Sequence, residues 1–223
     1  MIRMIAGVDE AGRGPVIGPL IIGVFACHAS EEKKLKRWGV KDSKLLSDSK
    51  REALAEKLAG YPHVLVEVSA EEITRFMRNK TSLNDVEAIK VAEALEKLYK
   101  KQEVERVFVD SPDSVPKKFE HRIRKHLSFK LKGVEIVSEN KADVKYVVAG
   151  AASILAKSQR EKRVLELQEM FGEEMGSGYP SDGRTISFLK KHGGDKRLKK
   201  HIRWEWDTVK RLKLTEVKLS EFF

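Results

Sequence analysis

Asp9 and Glu10 stand side by side after the short apolar run 4–8, and Gly12, Arg13 and Gly14 follow at once. Adjacent carboxylates are hard oxygen ligands for a divalent cation. Glycine, lacking a Cβ, lets the backbone approach a bound molecule closely. Arginine adds a planar cationic fork suited to phosphate. A carboxylate pair beside such a grip points to metal-assisted chemistry on a phosphodiester. Two further acids sit at element ends: Asp110 closes the apolar run 107–109, and Asp143 precedes a helical segment that starts near Val147. An acid at a strand end of an α/β sheet faces the crevice where ligands bind, whereas an aspartate ahead of a helix serves equally well as a cap or turn residue. Were Asp9, Glu10, Asp110 and Asp143 to converge, their repulsion would call for a cation. An all-oxygen donor set favours Mg²⁺ or Mn²⁺ over zinc, and two such ions can hold the attacking water and the leaving oxygen of an in-line displacement. One geometric demand stands out. A strand pleat sends Asp9 and Glu10 to opposite faces, so both serve one site only if the strand has ended or bulged there, as the Gly-Arg-Gly that follows would allow.

The elements that must position these acids follow from pattern. Residues 4–8 read as a strand ending at the acidic pair, and 16–28, opened by proline and glycine, as a turn and a second strand. Ser49-Lys50-Arg51-Glu52 has the form of a capping box ahead of a helix carrying Leu54 and Leu58. Residues 64–68 and 104–109 read as strands, with a helix over 82–100 between them, where Val86, Ile89, Ala92, Leu95 and Leu98 recur at helical spacing. Pro116 opens a helix with Phe119, Ile123 and Leu127 on one face, and 134–137 is another short strand. Residues 147–167 are strongly helical and begin with small residues, Ala149 to Ser153, which let a helix lie close to a sheet. From Gly172 the chain is basic and turn-rich, then helical. Strands first, then strand and helix in alternation, give an α/β fold on a mixed sheet flanked by helices, with a C-terminal helical lobe.

The chain has 223 residues, enough for one domain with an appended lobe. No apolar stretch is long and unbroken enough for a bilayer span, and the early acids interrupt any signal peptide, so a cytoplasmic protein with no membrane partner is expected. Cys27 has no second cysteine and reads as a small buried hydrophobe. Lys plus Arg outnumber Asp plus Glu by 44 to 34, a net +10 that suits a polyanionic partner. Few Asn and Gln beside abundant Lys, Glu and Arg is a composition known from proteins of hot environments.

Taken in order, Asp9-Glu-Ala-Gly-Arg-Gly-Pro15 with Gly18-Pro19, Asp42-Ser-Lys-Leu-Leu-Ser47, Val109-Asp110, Lys141-Ala-Asp143, Ala151-Ala-Ser-Ile-Leu-Ala-Lys157 and Gly178-Tyr-Pro180 resemble the signature of the type 2 ribonucleases H, the ribonuclease HII family, in its archaeal-like form. The resemblance spans nearly the whole chain. It implies a ribonuclease H-like fold, cleavage of the RNA strand of RNA–DNA hybrids, and incision 5′ of ribonucleotides embedded in duplex DNA. The products would carry a 3′-hydroxyl and a 5′-phosphate, and the roles would be ribonucleotide and RNA primer removal. By matched position Asp9, Glu10, Asp110 and Asp143 would hold Mg²⁺ or Mn²⁺, two ions with substrate bound. Gly12, Arg13 and Gly14 would grip the ribonucleotide at its 2′-hydroxyl and adjacent phosphate, Tyr179 would stack on the sugar at the RNA-to-DNA junction, and Lys44 would contact phosphate. The implied organisation is a catalytic domain over 1–172, a basic substrate-binding lobe over 173–215 and a tail over 216–223, in a monomer. Two departures fall at Arg160-Glu161, where the family has Arg-Asp, and around 201–205. Type 3 relatives carry an extra N-terminal domain, for which an acidic pair at residue 9 leaves no room.

Other candidates read more plainly. Asp113 and Asp182 sit in turn sequences. The glycines around Arg13 lack dinucleotide-loop spacing, since Pro15 and a β-branched run follow instead of a helix. Lys190, Lys191, Lys196, Arg197, Lys199, Lys200 and Arg203 form a basic cluster, either a solvated face or a phosphate-tracking surface. Trp38, Trp204 and Trp206 read as packing anchors. At the end of the chain, Leu219, Phe222 and Phe223 have the spacing of a sliding-clamp (PCNA) binding peptide, with Glu216 where such peptides carry Gln; the competing reading docks the phenylalanines on the protein itself. A junction resolvase on the same fold would also use clustered acids, but has no use for a ribose sensor. A purely binding protein would leave the acids unexplained.

Overall fold

The computed structural model describes residues 4–40, 46–128, 131 and 133–214. Five strands form one sheet: β1 (Met4–Ala11), β2 (Leu20–His28), β3 (His63–Val68), β4 (Arg106–Asp110) and β5 (Glu135–Glu139), in the order β3-β2-β1-β4-β5. The first three make an antiparallel meander, and β4 and β5 add in parallel beyond β1. Parallel addition needs crossovers. Helices α3 (Ala70–Arg78) and α4 (Leu83–Tyr99) precede β4, and α5 (Pro116–His126) precedes β5. The sheet is thus the mixed, helix-flanked one expected.

The pleat divides β1 between two cores. Met4, Ala6 and Val8 face the layer of α4 and α5, with Val91, Leu95, Phe119 and Ile123. Ile5 faces the long helix α7 (Val147–Phe171), packing with Val148, Ala151 and Ala152. Helix and strand meet at very close range, because a Cβ on Gly7 would collide with the backbone of Val148 and Ala149. The small-residue start of α7 is what permits this approach. Cys27 is buried in the α7-side core, where burial pushes its thiol up to about 12, assisted by Glu31 and Glu32. No described helix is long and apolar enough to cross a membrane.

Several boundaries differ from the sequence-based expectation. Strand β1 does not stop at the acidic pair: Asp9, Glu10 and Ala11 pair with Gly23, Ile22 and Ile21. Cross-strand pairing outweighs the local signal of the glycines that follow. Helix α2 (Asp48–Leu58) is capped by Ser47, whose hydroxyl accepts from Lys50 N–H, so Ser49 lies inside the helix rather than at its cap. Helices α1 (Glu32–Arg37) and α3 lie outside the elements expected from the sequence, although Ile73, Phe76 and Met77 of α3 stand at helical spacing. Asp143 lies in the first turn of a short helix, α6 (Ala142–Lys145), entered through Lys141 at φ 60°.

Beyond Gly172 the chain forms α8 (Gly183–His192), α9 (Lys196–Lys199) and α10 (Asp207–Arg211). Phe188, Leu189, Leu198, Ile202 and Trp204 build a third core, which also takes in Val16, Ile17, Val164 and Leu167. Gly18 N–H donates to the His201 carbonyl at 2.8 Å and Arg203 N–H to that of Val16 at 2.9 Å. This segment is therefore stitched to the loop that follows the acidic pair.

Candidate active site

Strand β4 ends at Asp110, beside β1, and α6 starts just beyond β5. These three neighbouring ends bring one carboxylate oxygen each of Asp9, Asp110 and Asp143 within 4.8 Å of one another. Asp110 Oδ1 accepts the Ala142 N–H at 2.7 Å, which ties the end of β4 to the first turn of α6 and fixes two of the three acids relative to each other. Asp9 accepts the Glu10 N–H at 2.8 Å. Asp9 and Asp143 are buried. Burial pushes Asp9 up to about 7, with the charges of Asp110 and Asp143 acting the same way, while the Ser153 hydroxyl on α7 and the Glu10 N–H act against them. A carboxylate trio offering only oxygen, with buried Asp9 pushed up beside two further acids, fits a hard divalent cation. No cysteine or histidine belongs to the cluster.

Glu10 does not join that trio. Because β1 continues through it, its side chain leaves on the other face, toward α4. There burial raises its pKa well above the ordinary value, as do the charges of Asp9, Glu87 and Asp110, and Arg13 opposes them. The sequence left open which way the pair would turn. In the structure Asp9 turns to α7 and Glu10 to α4, while Glu10 still feels two of the three clustered acids.

Gly12, Arg13 and Gly14 form the loop leaving β1. Gly12 has φ +85°, and a Cβ there would lie 2.5 Å from Arg160 Cδ, so only glycine fits. The Arg13 guanidinium is not a free phosphate fork. It is paired with Glu87 of α4, and its Nη2 donates to Asn84 Oδ1 at 2.6 Å. Glu87 is itself buried and pushed up to about 7 by that burial, with Arg13 and Arg203 pulling it down.

Tyr179 sits opposite, with a Cβ on Gly14 reaching to within 3.2 Å of its ring. It is 39% exposed, and the Arg160 guanidinium lies 5.4 Å from its centroid. Arg160 Nη2 donates to the Ser177 carbonyl at 2.9 Å, while Val16 N–H donates to that of Gly178 at 2.8 Å. The glycine loop and the tyrosine loop are therefore mutually fixed. Between them lies a cleft of about 350 Å³ lined by Glu10, Gly12, Arg13 and Tyr179, with Arg51, Lys157 and Arg160 as further cations.

The other candidates resolve as follows. Asp113 accepts from Asn84 and from Val115 N–H, and Asp182 caps α8 by accepting from Arg184 N–H; both lie outside the acid trio. The basic cluster is not one surface. Arg203 is wholly buried, Lys191 pairs with Glu173, and Arg197 pairs with Asp195. Lys44, Leu219, Phe222 and Phe223 lie outside the described residues. Sequence reasoning missed Glu87 and the inward turn of Arg203. A signal existed for each. Glu87 lies four residues from Leu83 and from Val91, on an otherwise apolar stripe of α4, and Arg203 stands between Ile202 and Trp204.

Comparison with known proteins gives a consistent result. The family model described as Ribonuclease HII matches residues 6–209. A ribonuclease HII of Thermofilum pendens is 40% identical over 217 residues, covering 94% of this chain and 99% of that relative. Among solved structures, a chain of the PCNA:RNase HII complex from Archaeoglobus fulgidus has a TM-score of 0.79 at 38% identity, covering 98% of this chain and 100% of that one. The ribonuclease H2 of Pyrococcus horikoshii OT3 has a TM-score of 0.82 at 38% identity, covering 94% and 96%.

Proposed function

The chain belongs to the ribonuclease HII family and is an endonuclease of the ribonuclease H type; on that premise we propose that it cleaves the RNA strand of RNA–DNA hybrids and incises duplex DNA 5′ of embedded ribonucleotides. The products carry a 3′-hydroxyl and a 5′-phosphate. One observation carries the reading: a trio of carboxylates and a glycine loop facing a half-exposed tyrosine are set along the same strand end.

Asp9, Asp110 and Asp143, with Glu10 beside them, would hold Mg²⁺ or Mn²⁺, two ions with substrate bound. Such ions, when bound, supply an activated water and neutralise charge on the leaving oxygen. The protein's own groups do the rest. Asp110, held by the Ala142 N–H, keeps its carboxylate aimed at its neighbours. The loop at Gly12–Gly14 brings main-chain groups against the substrate, where a 2′-hydroxyl distinguishes RNA from DNA. Tyr179 packs on the next sugar, which has room for an aromatic ring only when its own 2′-hydroxyl is missing. The cations Arg51, Lys157 and Arg160 at the cleft offset phosphate charge, and Lys44 adds a further phosphate contact. The basic lobe over 173–215 extends the substrate surface beyond the catalytic domain over 1–172. The enzyme acts as a cytoplasmic monomer in removing ribonucleotides and RNA primers. The complex of the Archaeoglobus relative with PCNA supports a clamp-binding role for the tail over 216–223, through Leu219, Phe222 and Phe223.

The test is incision of a DNA duplex holding one ribonucleotide, beside an all-DNA duplex, in Mg²⁺ or Mn²⁺. Cleavage of the first alone, with the new 3′-hydroxyl directly 5′ of the ribonucleotide, is expected. Cleavage of both or of neither overturns the proposal.

A further inference from the structure

The Arg203 side chain is wholly buried, and its guanidinium donates to three carbonyls of the loop that leaves β1. Its Nη2 donates to the Gly12 carbonyl at 2.6 Å, its Nη1 to the Arg13 carbonyl at 2.8 Å and its Nε to the Gly18 carbonyl at 3.0 Å. The next carbonyl, that of Gly14, accepts the Trp206 indole N–H at 3.2 Å, and the Trp206 ring lies 5.1 Å from the Arg203 guanidinium. Three successive carbonyls of the loop are thus held from one side by two side chains of the C-terminal lobe.

That arrangement dictates where the amides point. In a planar trans peptide the C=O and the N–H are antiparallel. With the Gly12 and Arg13 carbonyls turned to Arg203, the N–H groups of Arg13 and Gly14 turn away from it, and Gly12 and Arg13 both line the cleft. Among the described residues neither N–H donates to a protein acceptor. Two consecutive free amides on one side make a concave donor pair, suited to an oxygen carrying partial or full negative charge. Glu87 and Asn84 also anchor the Arg13 side chain, so the loop is held both by its carbonyls and through its arginine before substrate arrives.

We infer that Arg203, assisted by Trp206, is a positioning residue that presets the Arg13 and Gly14 amides as the ribonucleotide-reading donors. It touches no substrate itself. Its fork supplies donors in the fixed geometry that three separate carbonyls require, which the single ammonium of lysine cannot reproduce. The inference rests on the ribonucleotide reading proposed above. It departs from the expectation that this arginine lies on a phosphate-tracking surface.

The experiment measures binding of the full chain to two duplexes in Ca²⁺, one holding a single ribonucleotide and one all-DNA, beside thermal melting. Arg203→Lys is expected to weaken binding of the ribonucleotide duplex by about tenfold or more, the scale for losing hydrogen bonds to a charged group, while the all-DNA affinity stays unchanged. Trp206→Phe keeps the ring and removes one donor. It is expected to fold normally and to lose ribonucleotide preference by about threefold to tenfold. Equal weakening on both duplexes, or an unchanged preference in Trp206→Phe, would overturn the inference. A wild-type protein with no preference between the duplexes would overturn the ribonucleotide reading, and this inference with it.

Discussion

Replacing Asp9 by Asn should abolish metal-dependent activity and yet stabilise the metal-free protein. Asp9 is 6% exposed, and its carboxyl is pushed from 3.8 to about 7, first by burial and then by Asp110 and Asp143. Once Asp9 is ionised, this costs the folded state at most about 4 kcal/mol. The sign follows from linkage. A carboxyl whose folded-state pKa is raised contributes stability that is complete below its unfolded value and is lost as pH rises through about 7. At pH 8.5 in chelator the wild-type protein therefore bears an ionised, crowded Asp9, and the variant does not. Asn keeps an oxygen for the Glu10 N–H. A realised gain of about 1–2 kcal/mol would raise Tm by about 2–8 °C in a chain of this size. The assay is thermal unfolding of both proteins from pH 4 to pH 8.5. The two curves should converge near pH 4, draw apart as pH rises to about 7 and stay apart above it, with the variant higher. Adding Mn²⁺ should then raise the wild-type Tm and leave the variant nearly unmoved. A variant that melts at or below the wild-type temperature at pH 8.5 in chelator would refute the electrostatic reasoning. Equal Mn²⁺ shifts in both would refute the role of Asp9 as a ligand.

Two further outcomes are expected. Tyr179→Ala should reduce incision at a single embedded ribonucleotide by at least about tenfold more than it reduces cleavage of a continuous hybrid, a difference worth about 1.4 kcal/mol at the transition state; equal losses in parallel rate measurements would count against the sensor role. Deleting Phe222 and Phe223 should abolish capture by immobilised PCNA without changing incision, and undiminished capture would remove the tail from the account.

Much of the fold was legible in the sequence because burial imposes period. The stripe of α4 and the small-residue start of α7 announced their elements, and the run 107–109 announced a strand ending at Asp110. What local pattern could not supply was the competition between short-range and cross-strand signals. Gly12 and Gly14 suggested that β1 stops at the acids, yet pairing with β2 carries it to Ala11, and that extension is what turns Glu10 away from Asp9. Asp143 was legible as a residue near a helix start, but its place beside Asp110 depends on the Ala142 N–H, a contact across 32 positions. Arg203 was obscured by its neighbours, since a lysine-rich stretch reads as surface, and only the carbonyls of Gly12, Arg13 and Gly18 account for one member of it being buried. Glu87 was the reverse case, a lone charge on an apolar stripe whose partner, Arg13, lies 74 positions away.

The central claim is that Asp9, Asp110 and Asp143 together form a cation site at the mouth of the glycine loop. Anomalous diffraction at the manganese edge from crystals soaked in Mn²⁺ tests it directly. The account predicts a strong peak within coordination distance of all three carboxylates, lost in crystals of Asp110→Asn. Manganese bound elsewhere, with no peak among these three side chains, would contradict it.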